Sequence, residues 1–269
     1  AGPPVLAFFL RALASLVDAQ SVVAVVLVNS LAESWIQTAR ELGWEQLLSE
    51  KGPRHTVFHL SWRRAAKPES PAETFPGAYQ RLSRFYGPPE RQKELLTVWG
   101  LPNFDTEDYR LQTQQALLEH LVFRGKVLVW EPGQGQSALL ARSAAPSPFL
   151  TLAGSDLLAL RISALNLQDA PFLPCASVLD LLKLPAGAYG GVLLNLFTEP
   201  HVPWVEQTRE VLFHLLEPGG VAVVSGTSTD LARFLTSHKG LRVAGDFRFR
   251  GWRSVALVRG ASGPRLAVS

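Results

Sequence analysis

Cysteine is scarce in this sequence, since Cys175 is the single one among 269 residues. One thiol excludes an internal disulfide framework and fits a reducing compartment, so we expect a cytoplasmic protein. No neighbouring residue in the sequence would activate Cys175 as a nucleophile. We therefore expect it to serve as a small, buried apolar side chain.

Long apolar runs are also missing. Residues 19–32 (AQSVVAVVLVNSLA) carry no charge, but the segment is too short to span a bilayer. The first 20 residues lack a basic leading region, and Arg11 interrupts their apolar stretch. We therefore predict neither a signal peptide nor a membrane segment.

Charge is nearly balanced, with a net charge of +3 and an isoelectric point near 9.2. Such a mildly basic chain is compatible with an RNA partner without indicating one. Hydrophobic residues make up 47% of the sequence, which excludes global disorder. The length allows one large α/β domain, or one domain plus a smaller one.

From residue 111 onward the sequence alternates between strand-like and helix-like segments. This alternation predicts a doubly wound, mostly parallel sheet of seven strands, and the last two strands form an antiparallel pair. The predicted helices are 111–123, 136–143, 156–167, 202–220 and 228–238, and the predicted strands are 126–130, 149–154, 172–177, 189–197, 221–226, 241–250 and 252–260.

The sequence also contains a repeat of layout. Residues 22–63 and 221–259 both run strand, polar turn, helix, Gly-containing turn, strand, basic turn and strand. We interpret this as a duplication, although chance similarity between two α/β tails is the alternative. The predicted parts are an incomplete duplicated α/β module (1–65), a linker with short helices (66–105) and the main domain (106–269).

The duplication makes a structural prediction about the first copy. Residues 22–28 and 55–62 should be neighbouring strands of a small sheet, separate from the main one. The exposed apolar edge of such a remnant needs cover. We expect the linker, the main domain or another chain to provide it, and the oligomeric state is left open.

A glycine-rich motif follows the predicted strand 126–130. It reads Glu-Pro-Gly-Gln-Gly-Gln from Glu131, so an acid and two glycines stand at alternate positions. Glycines at a strand end let a ligand approach the backbone, and the next helix adds amide donors. The motif lacks the third glycine of a dinucleotide-binding turn and the Lys-Ser/Thr of a P-loop. An acid-x-Gly-x-Gly pattern is typical of class I S-adenosyl-L-methionine (SAM) methyltransferases, whereas an ordinary Gly-rich turn is the alternative.

The flanking sequence sharpens this interpretation. Residues 101–141 (LPNFDTEDYRLQTQQALLEHLVFRGKVLVWEPGQGQSALLA) resemble the bacterial ribosomal RNA guanine-N2 methyltransferases. The family has two tandem methyltransferase-like domains, of which the second binds SAM. The resemblance implies a class I methyltransferase fold, SAM as cofactor and ribosomal RNA as partner.

The resemblance also implies cofactor-binding residues. Glu131, Gly133 and Gly135 match the family's first motif, with a proline after the acid. The family's second-strand acid, which holds the ribose hydroxyls, aligns with a glycine here, and Asp156 two residues later either replaces it or caps the next helix. Asp180 would approach the adenine edge, or else serve as a solvated turn acid.

The family's Asn-Pro-Pro-Phe loop appears here as Asn-Leu-Phe-Thr, from Asn195 to Thr198. The resemblance implies that Asn195 accepts a hydrogen bond from the target amine and that Phe197 stacks on the base. Both prolines of the family loop are absent, so the rigid geometry is lost. As an alternative, Asn195 satisfies turn amides after a buried strand.

Basic residues alternate with aromatic ones near the end of the chain. This pattern suits RNA, although ordinary strand alternation produces it as well. The candidate RNA-binding residues are Arg248, Arg250 and Arg253, beside Phe247, Phe249 and Trp252. His55 and His59 share one face of a predicted strand, but no third ligand stands at a suitable spacing, so we expect no metal site.

These observations lead to two functional hypotheses. The first is SAM-dependent methylation of RNA, at guanine N2 of ribosomal RNA. The second is a methyltransferase-like protein without activity that binds RNA or protein, which the missing second-strand acid and the missing prolines favour.

Overall fold

The computed structural model describes ten parts of the chain. These are residues 3–18, 20–62, 77–86, 93–102, 108–145, 149–168, 170–196, 198, 201–236 and 240–260. The chain divides into two compact units, residues 1–81 and 82–269. None of the helices in the described parts has the length and hydropathy needed to cross a bilayer.

The first unit is a small antiparallel sheet with two helices. Its elements are α1 (Pro3–Leu16), β1 (Val23–Val28), α2 (Asn29–Leu42), β2 (Trp44–Lys51) and β3 (His55–Trp62). The strand order is β1-β3-β2, so β1 and β3 are neighbours in a sheet separate from the main one, as predicted. Leu10, Trp35, Trp44 and Leu60 are buried in its core.

The second unit contains the main sheet. Its elements are β5 (Lys93–Val98), α3 (Tyr109–Leu118), β6 (Lys126–Trp130), α4 (Gln136–Ser143), β7 (Phe149–Gly154), α5 (Leu157–Asn166), β8 (Phe172–Pro174), β9 (Tyr189–Asn195), α6 (Trp204–Leu215), β10 (Leu216–Thr227), α7 (Ser228–Leu235), β11 (Leu241–Phe249) and β12 (Trp252–Arg259). The order is β11-β12-β10-β9-β6-β7-β8. Strands β8, β7, β6, β9 and β10 are parallel, and β12 runs antiparallel between β10 and β11. The predicted seven-stranded, mostly parallel sheet is confirmed.

Successive side chains along a strand point to opposite faces of the sheet. Along β6, Val127 and Val129 therefore enter one apolar cluster, whereas Leu128 and Trp130 enter another. All seven residues of β9 are buried. A central strand buried on both faces is what a doubly wound sheet requires.

The described part of the linker contains one short helix and, in addition, two strands that were not predicted. A 3₁₀ helix (Gly77–Tyr79) is followed by β4 (Gln80–Tyr86), which pairs with β5 in a two-stranded sheet. Tertiary contacts decide this outcome: Leu95 and Val98 of β5 are fully buried. In addition, the Asn166 side chain accepts from the Leu96 amide at 2.9 Å and donates to its carbonyl at 2.9 Å.

Two predicted helices end earlier than their sequence patterns indicate. Helix α3 stops at Leu118, although its apolar pattern continues to residue 123. Helix α6 stops at Leu215, because Leu216 takes extended geometry and begins β10.

The two repeated segments have the same topology and irregularity. Strands β1, β2 and β3 are arranged in the order first, third, second, and so are β10, β11 and β12. The register between second and third strands shifts between Gln46 and Leu48 in the first copy. It shifts between Val243 and Gly245, at the same place in the strand, in the second copy.

One backbone hydrogen bond also recurs at the start of the helix in each copy. The amide of Asn29 donates to the carbonyl of Arg54 at 3.0 Å, and the amide of Ser228 donates to that of Gly251 at 2.8 Å. These shared details support the duplication, whose boundaries stay a prediction.

Candidate functional site

A cleft lies where the carboxyl ends of β6, β7 and β9 meet. Strand ends at this edge of an open parallel sheet are the usual ligand position. The cleft is only partly enclosed and is continuous with solvent. It is lined by Trp130, Glu131, Ser155, Ala176, Ser177, Val178, Leu194, Asn195, Leu196, Val202, Trp204, Gln207 and Thr208.

The glycine-rich loop turns sharply between β6 and α4. Gly133 and Gly135 have φ angles of 64° and 103°, in the left-handed region that favours glycine. A Cβ on Gly135 would stand 3.4 Å from the Cα of Ser163 on α5. The Ser163 hydroxyl also donates to the carbonyl of Gly133 at 2.9 Å. The second glycine thus allows close helix packing as well as the turn.

Two side-chain amides, those of Gln134 and Asn166, hold this loop in place by hydrogen bonds to the backbone. Gln134 is fully buried; its Oε1 accepts from the amide of Val98 at 2.8 Å, and its Nε2 donates to the carbonyl of Pro102 at 2.7 Å. Asn166 donates to the carbonyl of Gln134 at 2.8 Å. The loop is therefore fixed to β5 and α5 before any ligand arrives.

Glu131 occupies the end of β6 in an unusual backbone conformation, with φ of 53°. Left-handed geometry in a residue other than glycine is held by surrounding contacts and is common at functional sites. Its Oε1 accepts from the amide of Ser155 at 2.7 Å and from the Ser155 hydroxyl at 2.8 Å. The Glu131 carboxylate thus reaches across to the end of β7.

Gly154 makes room for that reach. A Cβ at this position would lie 3.1 Å from Oε2 of Glu131, tighter than ordinary contact. The resemblance implies an acid at the position of Gly154, and the space beside this glycine holds the carboxylate of Glu131. The carboxylate of Glu131, at the end of β6, therefore occupies space that is free because Gly154, at the end of β7, has no side chain.

Asn195 lies at the end of β9 with 1% of its surface exposed. Its Nδ2 donates to the carbonyl of Glu131 at 2.8 Å, and its Oδ1 accepts from Nε2 of Gln114 at 2.6 Å. Ser137 completes the network, because its hydroxyl donates to Oε1 of Gln114 at 2.9 Å. The carboxamide thus joins α3, α4, β6 and β9 from within the core.

Asp156 and Asp180 both engage nearby backbone amides. Asp156 caps α5, since its Oδ1 accepts from the amides of Leu158 at 2.8 Å and Ala159 at 3.1 Å. Asp180 accepts from the amide of Ala176 at 2.8 Å and from Nζ of Lys183 at 2.6 Å. The bond from Lys183 holds the pKa of Asp180 below its ordinary value.

Cys175 follows β8 and is partly exposed beside these residues. Partial burial raises the pKa of its thiol, and the negative charge of Asp180 raises it further. The thiol is therefore largely protonated at neutral pH, and its partial exposure differs from the buried side chain that the sequence led us to expect.

The three arginines of the final hairpin have different roles. Arg253 is 7% exposed and forms a bidentate pair with Asp246, at 2.8 and 2.6 Å. This burial opposes the predicted RNA contact for Arg253. Arg248 lies 3.7 Å from the same carboxylate with 62% of its side chain exposed, and Arg250 is exposed at the turn.

Other sequence candidates lie elsewhere. Phe197 is outside the described residues. His59 is 3.7 Å from Glu50 on the neighbouring strand of the first unit. Within the described ranges, no three His, Cys, Asp or Glu side chains form a group that could hold a metal ion.

Several residues that build the site were not predicted from the sequence. Glutamine, serine and asparagine are common on any surface, and each of these residues lies 20 or more positions from its partner. The signal available was the cluster of five glutamines within the motif and the helix before it. The residues are Gln114, Gln134, Ser137, Ser155 and Asn166.

Comparison with solved structures identifies the fold. The structure is similar to the 16S rRNA guanine-N2 methyltransferase RsmC of T. thermophilus, solved with AdoMet and guanosine, with a TM-score of 0.68 and 14% identity over 96% of this chain and 70% of that one. Weaker matches include the N-methyltransferase NodS of Bradyrhizobium japonicum, with a TM-score of 0.46 and 12% identity over 57% of this chain and 86% of that one. Another is the ribosomal protein L11 methylase of Lactobacillus delbrueckii subsp. bulgaricus, with a TM-score of 0.45 and 16% identity over 58% of this chain and 81% of that one. No family model and no curated protein matches the sequence.

The likeness to RsmC, together with the strand order, shows that the chain has the fold of class I SAM-dependent methyltransferases. At 14% identity, a shared fold leaves the activity to be argued from the site itself.

Proposed function

We propose that this chain is a SAM-dependent methyltransferase that acts on RNA in the cytoplasm, with guanine N2 of ribosomal RNA as its target. The observation that carries the proposal is the braced Gly133–Gly135 loop with Glu131 at an open cleft on the carboxyl edge of the sheet. A nucleoside ligand fits this place, because Glu131 lines the cleft and the backbone of Gly133, which has no side chain, is only partly buried two residues later. RsmC, which has the same fold, was solved with AdoMet and guanosine.

Glu131 is the residue that we assign to the cofactor's ribose. Among the described residues, both hydrogen bonds to its carboxylate go to Oε1, so Oε2 remains able to accept from a hydroxyl. Asp180, next to the cleft-lining Ala176 and Ser177, is assigned to the adenine edge. Asp156 is a weaker candidate than Glu131 for binding the ribose, since its side chain already caps α5.

Methyl transfer requires an aligned nitrogen more than an acid or base. Bound SAM would supply an electrophilic methyl group, the target nitrogen would gain that methyl and lose a proton to water, and neutral S-adenosylhomocysteine (SAH) would be released. A carboxamide oxygen has two lone pairs, and Gln114 uses one of those on Asn195. We assign the second lone pair of Asn195 Oδ1 to a hydrogen bond from the target amine, and we assign Phe197 to stacking on the base. A base in structured RNA must be splayed out to reach this position.

The first test is calorimetric titration of the protein with SAH, followed by transfer of a labelled methyl group to RNA from a strain that lacks the protein. We expect binding and transfer for the wild type. Asn195→Ala should abolish transfer, and Gln114→Leu is its matched control. Both remove the same buried hydrogen bond, but only Asn195→Ala removes the proposed acceptor. Equal residual activity in the two variants would refute the assignment of Asn195.

A second candidate function is a non-catalytic module that binds RNA or protein. The satisfied, 1% exposed carboxamide of Asn195 favours it, because every polar group there already has a structural partner. Absence of SAH binding and of methyl transfer, together with RNA binding at low salt, would establish this function instead.

A further inference from the structure

A cluster of aromatic and basic side chains lies at the tip of the β11–β12 hairpin. The guanidinium carbon of Arg250 stands 4.9 Å from the ring centre of Tyr109 and 5.4 Å from that of Phe249. The two rings meet edge to face with 5.6 Å between centres. We call Tyr109, Phe249 and Arg250 the hairpin platform.

The hairpin platform is held in one geometry. Arg250 donates to the hydroxyl of Tyr109 at 2.6 Å, which fixes the plane of the guanidinium. Its backbone is left-handed, with φ of 46°, and Gly251 follows at 84°. Behind the tip, the pair of Arg253 with Asp246 ties β12 to β11. Side chains already held in contact with one another cost a ligand little ordering entropy.

The hairpin platform is also exposed and charged. Arg250 is exposed, and 36% of the surface of Phe249 is accessible although phenylalanine favours burial. Arg248, also mostly exposed, adds a second cation two residues away. A fixed guanidinium over two rings presents a π-face and a positive charge at the same place.

The hairpin platform lies at the same edge of the sheet as the cleft. Asn195 pairs with Ser225, Ser225 pairs with Ser254, and Trp252 pairs with Thr227 at the end of β10. Two strand spacings and two residues along β12 put Trp252 about 12 Å from Asn195. Helix α3 connects the two places, because Tyr109 begins it and Gln114 contacts Asn195.

We propose that the hairpin platform binds single-stranded RNA by stacking an unpaired base on Arg250 and Phe249, beside the base that enters the cleft. Aromatic and guanidinium planes stack on any base, whereas a duplex hides its base faces. The proposal rests on RNA as the target proposed above, and it assigns an unpaired strand, not a duplex, as the form recognised.

The test measures the anisotropy of a short fluorescein-labelled adenosine-rich RNA, single-stranded or annealed to its complement. Phe249→Ala and Arg250→Lys remove stacking surface without changing the charge. We expect each to weaken single-strand binding by roughly 5- to 100-fold, the range for loss of one stacked base. The salt dependence should stay unchanged, because it follows the number of charge contacts.

Arg124→Ala is the matched control for charge, since Arg124 is exposed just before β6, at the opposite edge of the sheet. It should leave the affinity for single-stranded RNA unchanged. Equal affinity of wild type and both platform variants would overturn the proposal, and so would equal losses for single-stranded RNA and duplex. SAH titration separates the two proposals: binding of SAH with no effect of the platform variants defeats this inference alone. In the opposite case, the wild type neither binds SAH nor transfers methyl groups, but the platform variants still bind RNA more weakly than the wild type. That result defeats the methylation proposal alone.

Discussion

The carboxylate of Glu131 lies against Gly154, where a larger residue would leave too little room for it. The motif that includes Glu131, Gly133 and Gly135 is local, so the sequence alone was enough to predict that the three lie together. The bond from Ser155 to Glu131 joins residues 24 positions apart and depends on the pairing of β6 with β7. Contacts of this kind depend on which strands are neighbours in the sheet, so the local motif alone does not predict them.

Replacement of Glu131 tests the ribose assignment. We expect Glu131→Gln to weaken SAH binding by roughly 10- to 100-fold, because a charge-assisted hydrogen bond contributes about 1.5–3 kcal/mol. Calorimetry measures the change. Glu119→Gln is the control, since Glu119 accepts from Gln115 on an exposed part of the chain following α3. An unchanged dissociation constant for Glu131→Gln would remove Glu131 from the cofactor site.

Gly133 allows a test that separates ligand contact from backbone strain. Gly133 and Gly125 have the same φ of 64°, and no atom lies within 4 Å of a Cβ built on Gly125. Alanine at either site should lower the free energy of unfolding by about 1–2 kcal/mol, the cost of left-handed geometry. Gly133→Ala alone should also weaken SAH binding. Equal SAH affinity in both variants would show that no ligand approaches this glycine.

Cys175 provides a probe that needs no mutation. Its amide donates to the carbonyl of Gly154 at 2.9 Å, which places the Cys175 backbone at the end of β7, and its thiol is near enough to Glu131 for that charge to raise the pKa of the thiol. Because its pKa is raised, alkylation by iodoacetamide should be slow at pH 7 and should accelerate as the pH increases. Saturating SAH should slow it further at every pH, as measured by mass spectrometry of the intact protein. The same alkylation rate with and without SAH would argue against a ligand at this edge.

Among the elements, α3 is the one that connects the site to the rest of the second unit. Its Gln114 donates to Asn195, and its Thr113 bonds the hydroxyl of Ser254 on β12 at 2.7 Å. The helix therefore lies against β12 and reaches the end of β9, which lines the cleft. Its position depends on buried polar contacts, which carry a penalty when one partner is lost.

Gln114→Leu should lower the free energy of unfolding by about 2 kcal/mol, because it removes the donor to Oδ1 of Asn195 and the acceptor for the Ser137 hydroxyl in the core. Urea unfolding followed by circular dichroism measures the loss. Gln115→Leu is the control, since Gln115 bonds only Glu119 near the surface. Similar stability of the two variants would mean that the buried network contributes little.

Prediction from sequence succeeded best for elements with strong local signals. The predicted bounds of β6, α4 and β7 match the structure, because an apolar run, a glycine turn and a helix start follow one another directly. Strand β5 was missed because, besides its pairing with β4, its backbone is held by the side chain of Asn166, about 70 residues away. Burial against α5 then overrides a local sequence that resembles a charged linker.

For the whole molecule, the fold was predictable because seven alternating segments and two glycine-rich turns left few other topologies. The proposed cofactor site belongs to the second unit alone, since the acid-x-Gly-x-Gly pattern occurs there. We therefore expect SAH to increase the amide protection of residues 131–137 and 153–156 in hydrogen-exchange mass spectrometry. Residues 23–62 should exchange at the same rate with and without SAH, and protection there would indicate a second ligand site.

The shifted register shared by β2–β3 and β11–β12 also bears on history. If the two segments descend from one ancestor, as we predict, then an irregularity common to both is older than their separation. The second copy turns through Arg250 and Gly251, whereas the first turns through residues 52–54 without an aromatic neighbour in the turn. In that case the arrangement of three strands arose before the duplication. The hairpin platform that we assign to RNA arose afterwards, in the second copy alone.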